Sequence, residues 1–153
     1  MSASCQKIKL RTWPRRDIFS FFSALDQPFY SVCFRVDVTQ LHAYVKAHSL
    51  SFYYAMTYLV TQAVNEVENL RYTIRDGSVF LLDKRTPSFT YLKKGSEQFQ
   101  IITCPCEGSL EEFCRAAKEK KRGADLISGN VLRDGRSDLY LVSSVVRSYL
   151  LYE

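Results

Sequence analysis

The fold is decided by residues 51–92, which read SFYYAMTYLVTQAVNEVENLRYTIRDGSVFLLDKRTPSFTYL. Ser51 is a typical N-cap, and the apolar side chains after it recur at helical spacing. The pattern predicts a helix with one continuous apolar stripe, made of Phe52, Ala55, Met56, Leu59, Val60, Ala63, Val64 and Val67. Two strands are predicted next, over 70–75 and 78–82, because Asp76-Gly77 between them is a preferred two-residue hairpin turn.

Upstream of this stretch, residues 31–38 alternate between two kinds of side chain. Val32, Phe34, Val36 and Val38 fall on one side and more polar residues on the other, which predicts a half-buried strand. Thr39 is the predicted N-cap of a helix that continues to about His48.

Downstream, the patterns predict strands over 88–92, 99–104 and 138–146. Ser109 and Glu112 have the spacing of a capping box, and the helix they open has a predicted buried face of Leu110, Phe113, Cys114 and Ala117. Strands and helices alternate irregularly, with hairpins among them. We therefore predict the α/β class, as a two-layer sandwich in which helices pack on one face of a mixed β-sheet.

The composition is that of a soluble globular protein. The 153 residues suit one domain, 46% of them are hydrophobic and 24% are charged. The most apolar stretch, 52–67, is interrupted by polar residues, so we expect no membrane span. The N-terminus has no apolar segment of the secretory type, which predicts a cytoplasmic protein.

Neither the net charge nor the cysteines narrow the functional class of the protein further. The net charge is +5, and the only dense basic cluster, Lys118, Lys120, Lys121 and Arg122, is interpreted as the solvated end of a helix. No nucleic-acid-binding motif or basic stripe is present, so we expect no nucleic-acid partner. The five cysteines are expected to be reduced thiols buried at strand ends, and none has the spacing of a metal site.

Catalytic motifs are scarce. The only two histidines, His42 and His48, are six residues apart on one predicted helix, a spacing that places them on different sides of it. Both are expected to face solvent. The sequence contains no nucleotide-binding glycine motif, no nucleophile elbow and no metalloprotease motif.

A family resemblance begins in the aromatic N-terminal third. Segments in register along 10–145 resemble chloramphenicol acetyltransferases, among them 13–22 (WPRRDIFSFF), 36–41 (VDVTQL), 58–65 (YLVTQAVN), 74–77 (IRDG) and 87–90 (PSFT). The resemblance implies a CoA-dependent acyltransferase fold, a homotrimer, acetyl-CoA as co-substrate and no metal. It also implies acetyl transfer to a hydroxyl of chloramphenicol, which confers antibiotic resistance, or to a similar hydroxylated small molecule.

The same resemblance assigns roles to individual residues. In the family, a histidine base takes the proton of the substrate hydroxyl and a serine stabilises the oxyanion. Ser143 corresponds to that serine, and Arg15 to an arginine that pairs with a carboxylate beside the histidine. The aromatic substrate slot corresponds to Phe21, Phe22, Tyr30, Phe99 and Ile101. The alternatives are that the aromatic residues are core residues and that Ser143 is a strand serine bonded to backbone.

The family's catalytic signature, His-His-x-x-x-Asp-Gly, is absent from this sequence. We therefore expect a single incomplete acetyltransferase-like domain over 1–145, a divergent tail over 146–153, and a truncated or frame-shifted relative that is inactive or nearly so. The alternative is a non-catalytic module that retains ligand binding or trimer assembly.

Overall fold

The computed structural model describes residues 5–28, 31–92, 95, 97, 99–122 and 139–142. A short 3-10 turn, Leu10–Thr12, follows the first strand. The α-helices are α1 (Arg16–Ser23), α2 (Thr39–Ala47), α3 (Phe52–Glu66), α4 (Glu68–Arg71) and α5 (Leu110–Arg122). The strands are β1 (Cys5–Lys7), β2 (Tyr72–Arg75), β3 (Ser78–Leu82), β4 (Thr86–Leu92), β5 (Phe99–Thr103) and β6 (Leu139–Val142).

The described strands form two three-stranded sheets. One is antiparallel, with the order β1-β3-β2. The other has the order β5-β4-β6 and is mixed, because β4 runs antiparallel to β5 and parallel to β6. The predicted α/β class with a mixed sheet is confirmed, although the strands are divided between two sheets.

The core lies between the β5-β4-β6 sheet and the helices α3 and α5. Phe89 of β4 and its cross-strand neighbour Ile102 of β5 are buried beneath Ala55, Phe113 and Ala117 of the two helices. Because successive side chains of a strand point to opposite faces, every second residue of β4 and β5 lies on the other face of this sheet. On that face Ser88 and Thr103 lie side by side, with their hydroxyl oxygens 3.1 Å apart.

The predicted local signals of α3, α5 and the hairpin are confirmed. The Ser51 hydroxyl accepts from the backbone N–H of Tyr54 at 3.4 Å. Ser109 and Glu112 form the reciprocal capping box, with bonds of 3.2 and 2.8 Å. Asp76 and Gly77 have φ values of 47° and 69°, as the predicted hairpin turn requires.

Two predicted element starts need correction. Thr39 is not the N-cap of α2 but its first residue, and its backbone N–H donates to the Asp37 carboxylate at 2.9 Å. The first hairpin strand begins at Tyr72 rather than at residue 70, because Leu70 and Arg71 belong to the single turn α4.

The predicted strand over 31–38 is wrong. These residues form no strand, and all but Val38 are exposed, with Phe34 77% accessible. A strand needs a neighbour to satisfy its backbone groups, and no described strand pairs with this segment. The alternation of Val32, Phe34 and Val36 therefore leaves apolar side chains in solvent.

The predicted apolar stripe of α3 is only partly buried. Tyr54, Ala55, Thr57 and Thr61 face the core, whereas Leu59, Val60, Ala63 and Val67 are exposed. Two threonines can occupy the buried face because their hydroxyls bond back to carbonyls four residues earlier, at 2.9 and 2.6 Å. The spacing of the apolar residues alone predicts a buried face on a neighbouring side of this helix.

All five cysteines are free, but their environments differ from the expectation. Cys104 and Cys114 are buried, Cys106 is half-buried, and Cys5 and Cys33 are exposed. Burial raises the pKa of the Cys106 and Cys114 thiols to about 11. These two thiols therefore stay protonated and unreactive at neutral pH.

Candidate functional site

An apolar groove of about 480 Å³ lies beside α1, and we call it the N-terminal groove. It is lined by Trp13, Arg15, Ile18, Phe19, Phe22, Ser23, Pro28 and Ile74. Trp13 anchors it, since its ring contacts Phe19 and Tyr72 with centroid distances of 6.0 and 5.4 Å. The contact with Tyr72 holds the segment before α1 against β2.

Two of the predicted site residues, Arg15 and Phe22, meet in this groove. Phe22 is on α1 and Arg15 is the residue just before it. Phe21 contacts the Phe22 ring edge-on at 5.3 Å, but it is 66% exposed and does not line the groove. The helix therefore directs only one of the two predicted phenylalanines into the cavity.

Among the described residues that line this groove, Arg15 is the one that carries a charge. Within the described part of the chain it forms no ion pair. Its charge acts on Tyr72, whose pKa is nevertheless raised, chiefly because the phenol donates a hydrogen bond to Glu68 at 2.8 Å. The arginine is thus available to a carboxylate or to a polar ligand group.

The predicted strand wall of the substrate slot, Phe99 and Ile101, lies outside the N-terminal groove. These two residues share one face of β5 and pair with Leu92 and Thr90 of β4. That face is opposite the helices and open, with Phe99 46% and Leu92 59% exposed. No residue of β5 lines the N-terminal groove, so the structure does not join these predicted slot residues to Phe22.

Tyr30 and Ser143, the remaining predicted site residues, lie outside the described residues, as does the predicted tail 146–153. Their assigned roles stay predictions.

Both histidines pack against rings. The half-buried His42 lies edge-on to Phe52 at 6.0 Å, so it does not face solvent freely as expected. His48 is exposed and stacks on Tyr44 at 4.0 Å, with its Nδ1 2.9 Å from the Tyr44 carbonyl oxygen. Neither residue lines the N-terminal groove.

A second groove, of about 550 Å³, lies between the start of α3 and one side of α5, and we call it the α3–α5 groove. Its lining includes Tyr53, Tyr91, Glu111 and three cations, Arg115, Lys118 and Lys121. Sequence reasoning missed it, because the basic cluster was interpreted as a solvated helix end. The spacing of 115, 118 and 121, which places them near one side of a helix, was the available signal.

The described residues include neither a membrane-spanning helix nor a cluster suited to a metal ion. None of the described helices combines the length and the hydrophobicity that a membrane span requires. Among the same residues, no group of three or more His, Cys, Asp and Glu side chains is arranged to hold a metal ion.

The comparisons with known proteins agree on one family. A family model described as chloramphenicol acetyltransferase matches residues 3–144. Chloramphenicol acetyltransferase 3 of Escherichia coli is 30% identical over 107 residues, which cover 70% of this chain and 50% of the relative. The chloramphenicol acetyltransferase of Staphylococcus aureus is also 30% identical, over 108 residues and the same shares.

A solved structure of a chloramphenicol acetyltransferase has the same fold, with a TM-score of 0.71 at 24% identity, over 92% of this chain and 64% of that one. The chain spans about half the length of the curated relatives it matches. Because the family model matches nearly the whole sequence, this chain belongs to the chloramphenicol acetyltransferase family.

Proposed function

We propose that this chain contributes to a site for transfer of an acetyl group from acetyl-CoA to a hydroxyl of chloramphenicol, or of a similar hydroxylated small molecule, and so to antibiotic resistance. The observation that carries the proposal is the meeting of Arg15 and Phe22 in the N-terminal groove. A cavity of about 480 Å³ with a mostly apolar lining and few polar groups is of the size and kind that binds drug-sized ligands.

The chemistry of such a site follows from the acyl transfer. A base removes the acceptor's hydroxyl proton, the oxygen attacks the thioester carbonyl, and the CoA thiolate leaves and takes up the proton. The negative charge that develops on the carbonyl oxygen needs a hydrogen-bond donor, the role we propose for the Ser143 hydroxyl. Arg15 would pair with a carboxylate and hold the site in shape.

We further propose that the site is completed between copies of the chain in a homotrimer. The N-terminal groove and the open wall of Phe99 and Ile101 are separate in one chain. An interface between subunits would bring the groove of one chain to the strand wall of its neighbour. The exposed side chains of Val32, Phe34 and Val36 are apolar surface that such an assembly would cover.

The proposed acetyl transfer lacks its base in this polypeptide. His42 and His48 are the only histidines, and both are engaged in the ring contacts described above. General acid–base catalysis raises the reaction rate by about 10²- to 10⁴-fold. Groups that act together with the base lose most of their effect when the base is missing, so the losses are not additive. We therefore expect this polypeptide alone to be inactive or nearly so.

A thiol-release assay with acetyl-CoA and chloramphenicol on the purified, folded chain tests this expectation. We expect no release above the hydrolysis rate measured without chloramphenicol. Release that saturates with chloramphenicol would mean that another group replaces the histidine.

The second candidate function is ligand binding without transfer, which the mostly apolar lining of the N-terminal groove favours. Trp13 is the only tryptophan and lines that groove, so its fluorescence reports on occupancy directly. Saturable quenching by chloramphenicol without thiol release would support a non-catalytic binding module. No quenching at millimolar ligand would contradict both functions for this chain.

A further inference from the structure

We propose that β1 is a docking edge for an extended peptide segment of a partner protein, in which acidic and apolar residues alternate. The peptide would add to the β1-β3-β2 sheet as a further strand. β1 is an edge strand of this sheet, because among the described strands it pairs with β3 alone. No function described above uses this edge.

The backbone of β1 offers hydrogen-bonding groups to such a strand. The N–H of Ile8, just after β1, donates to the Val79 carbonyl at 2.8 Å, so Ile8 directs its backbone towards β3. In an antiparallel pair, successive residues direct these groups to alternate sides. The N–H and C=O of Lys7 therefore point away from β3, and no described strand pairs with them there. Main-chain groups of this kind are what an added strand uses for affinity.

The side chains along this edge alternate between cations and apolar groups. Lys7 and Lys9 are exposed, whereas Ile8 and Leu10 are half-buried. The backbone of Lys9 is still extended, with φ −78° and ψ 96°, so the alternation of faces continues to that residue. These four residues and Ser78 line a groove of about 460 Å³. An added strand would therefore meet positive charge on one face of the sheet and apolar side chains on the other.

The positive charge of the lysine face extends across the sheet. The Lys7 ammonium lies 5.9 Å from the centroid of the Phe80 ring, and the Arg75 guanidinium lies 5.7 Å from the same centroid. The ring thus holds two cations near one another. Within the described part of the chain, neither lysine of the β1 edge takes part in an ion pair. Opposite charges directly across a strand pair are stabilising, so the matching residues of the partner are acidic.

The lysines also determine which peptides are excluded. Charged residues on an edge strand, lysine above all, hinder its pairing with strands that carry no opposite charge. β1 has three residues, so its backbone bonds alone supply little affinity. The side chains therefore select the partner, by attraction of acidic residues and by repulsion of basic ones.

Fluorescence anisotropy of labelled peptides, measured with the whole chain, tests this proposal. The probes are a repeat of Glu-Val, a peptide of the same composition with all Glu before all Val, and a repeat of Gln-Val. We expect the Glu-Val repeat to bind about tenfold more tightly than either of the others, because only it places its carboxylates on the lysine face. Equal binding of the two acidic peptides would show general charge attraction and overturn the proposal, and so would no binding of the Glu-Val repeat.

Two charge-reversal variants locate the docking edge. Lys7→Glu should weaken binding of the Glu-Val repeat about tenfold, because it replaces an attraction by a repulsion. Lys46→Glu makes the same change at an exposed residue in the last turn of α2. We expect it to change the affinity less than about twofold, since the charge of an exposed, distant side chain is screened. An equal loss in the two variants would overturn the assignment of the edge.

Amide hydrogen exchange distinguishes strand addition from binding to the lysine side chains alone. In the free chain the Ile8 N–H is protected by its bond to the Val79 carbonyl, and the outward N–H of Lys7 is expected to exchange quickly. A saturating amount of the Glu-Val repeat should slow exchange at Lys7 about tenfold and change it little at Ile8. Unchanged exchange at Lys7 in the complex would overturn the proposed strand addition.

Discussion

The side-chain amide of Asn65 and the backbone of Arg85 form a two-way hydrogen-bonded pair. Asn65 accepts from the Arg85 N–H at 2.6 Å and donates to the Arg85 carbonyl at 3.1 Å. The Arg85 guanidinium in turn donates to the carbonyls of Leu70 and Tyr72, each at 2.5 Å. The pair thus connects the end of α3, the segment before β4 and the start of β2, and so links the two sheets.

Replacing this amide should destabilise the fold. Asn65→Ala leaves both backbone groups of Arg85 without their partner in a partly buried place, which costs about 1–3 kcal/mol. Asn65→Asp keeps the acceptor for the Arg85 N–H and should lose less. Urea unfolding measures both, and equal stability of wild type and Asn65→Ala would contradict the connecting role.

Substitutions at the two residues of the hairpin turn should differ in their effect on the stability of the fold. Gly77 has a φ of 69°, so Gly77→Val forces a branched side chain into the left-handed region at a cost of about 1–2 kcal/mol. Asp76 has a φ of 47°, and Asp76→Gly relieves the same restriction there, so its effect should stay below about 0.5 kcal/mol. Thermal unfolding of the two variants compares them, and an equal loss would argue against the turn geometry.

Phe22 and Phe21 should differ in ligand binding although they are neighbours in sequence. Phe22→Ala removes a ring that lines the N-terminal groove and should weaken chloramphenicol binding at least tenfold. Phe21→Ala removes a ring outside the lining and should have less than a threefold effect. Quenching of Trp13 fluorescence measures both affinities. Equal losses would place the ligand elsewhere on α1.

The exposed segment 31–38 gives a test of assembly. If Val32, Phe34 and Val36 are covered in a trimer, Phe34→Ser should shift the chain towards the monomer in sedimentation velocity experiments. Arg35→Ser, on the alternate side of the same segment, should leave the assembly unchanged. A wild-type chain that is monomeric at all concentrations would refute the proposed trimer.

Buried thiols predict a loss of stability at alkaline pH. Burial raises the pKa of Cys114 to about 11 in the folded chain, above its value in the unfolded chain. The contribution of the Cys114 thiol to the free energy of unfolding is complete below about pH 8.5. It is lost as the pH rises to 11, because the thiol ionises first in the unfolded chain. Cys114→Ala should therefore show a flatter decline in unfolding free energy between pH 9 and 11 than the wild type.

Tyr54, whose pKa burial also raises, is present in both proteins, so its contribution cancels in the comparison. Urea unfolding at pH 7, 9 and 10.5 gives the two slopes. Identical slopes would mean that Cys114 ionises as easily in the folded chain as in the unfolded one.

Much of the fold could be predicted because its signals are local. The Ser109 and Glu112 box, the Asp76-Gly77 turn and the buried face of α5 depend on residues within a few positions of one another. Their geometry is almost the same in any surrounding, so the sequence alone predicts them. The family resemblance likewise came from short segments in register.

Contacts between residues that are distant in sequence decided the rest of the fold. The alternation in 31–38 predicts a strand, but a strand exists only where another one pairs with it, and none of the described strands does so. The amphipathic pattern of α3 could not show that Thr57 and Thr61, bonded to their own helix, face the core.

The candidate sites show the same division. The sequence by itself determined the family, the absence of the catalytic histidine motif and the residue types available for a site. Only the tertiary structure decided that Phe22 and not Phe21 enters a groove with Arg15, and that the cations of α5 line a cavity with Tyr91. The reason is physical, since a cavity forms between elements distant in sequence, and only their packing brings its lining residues together.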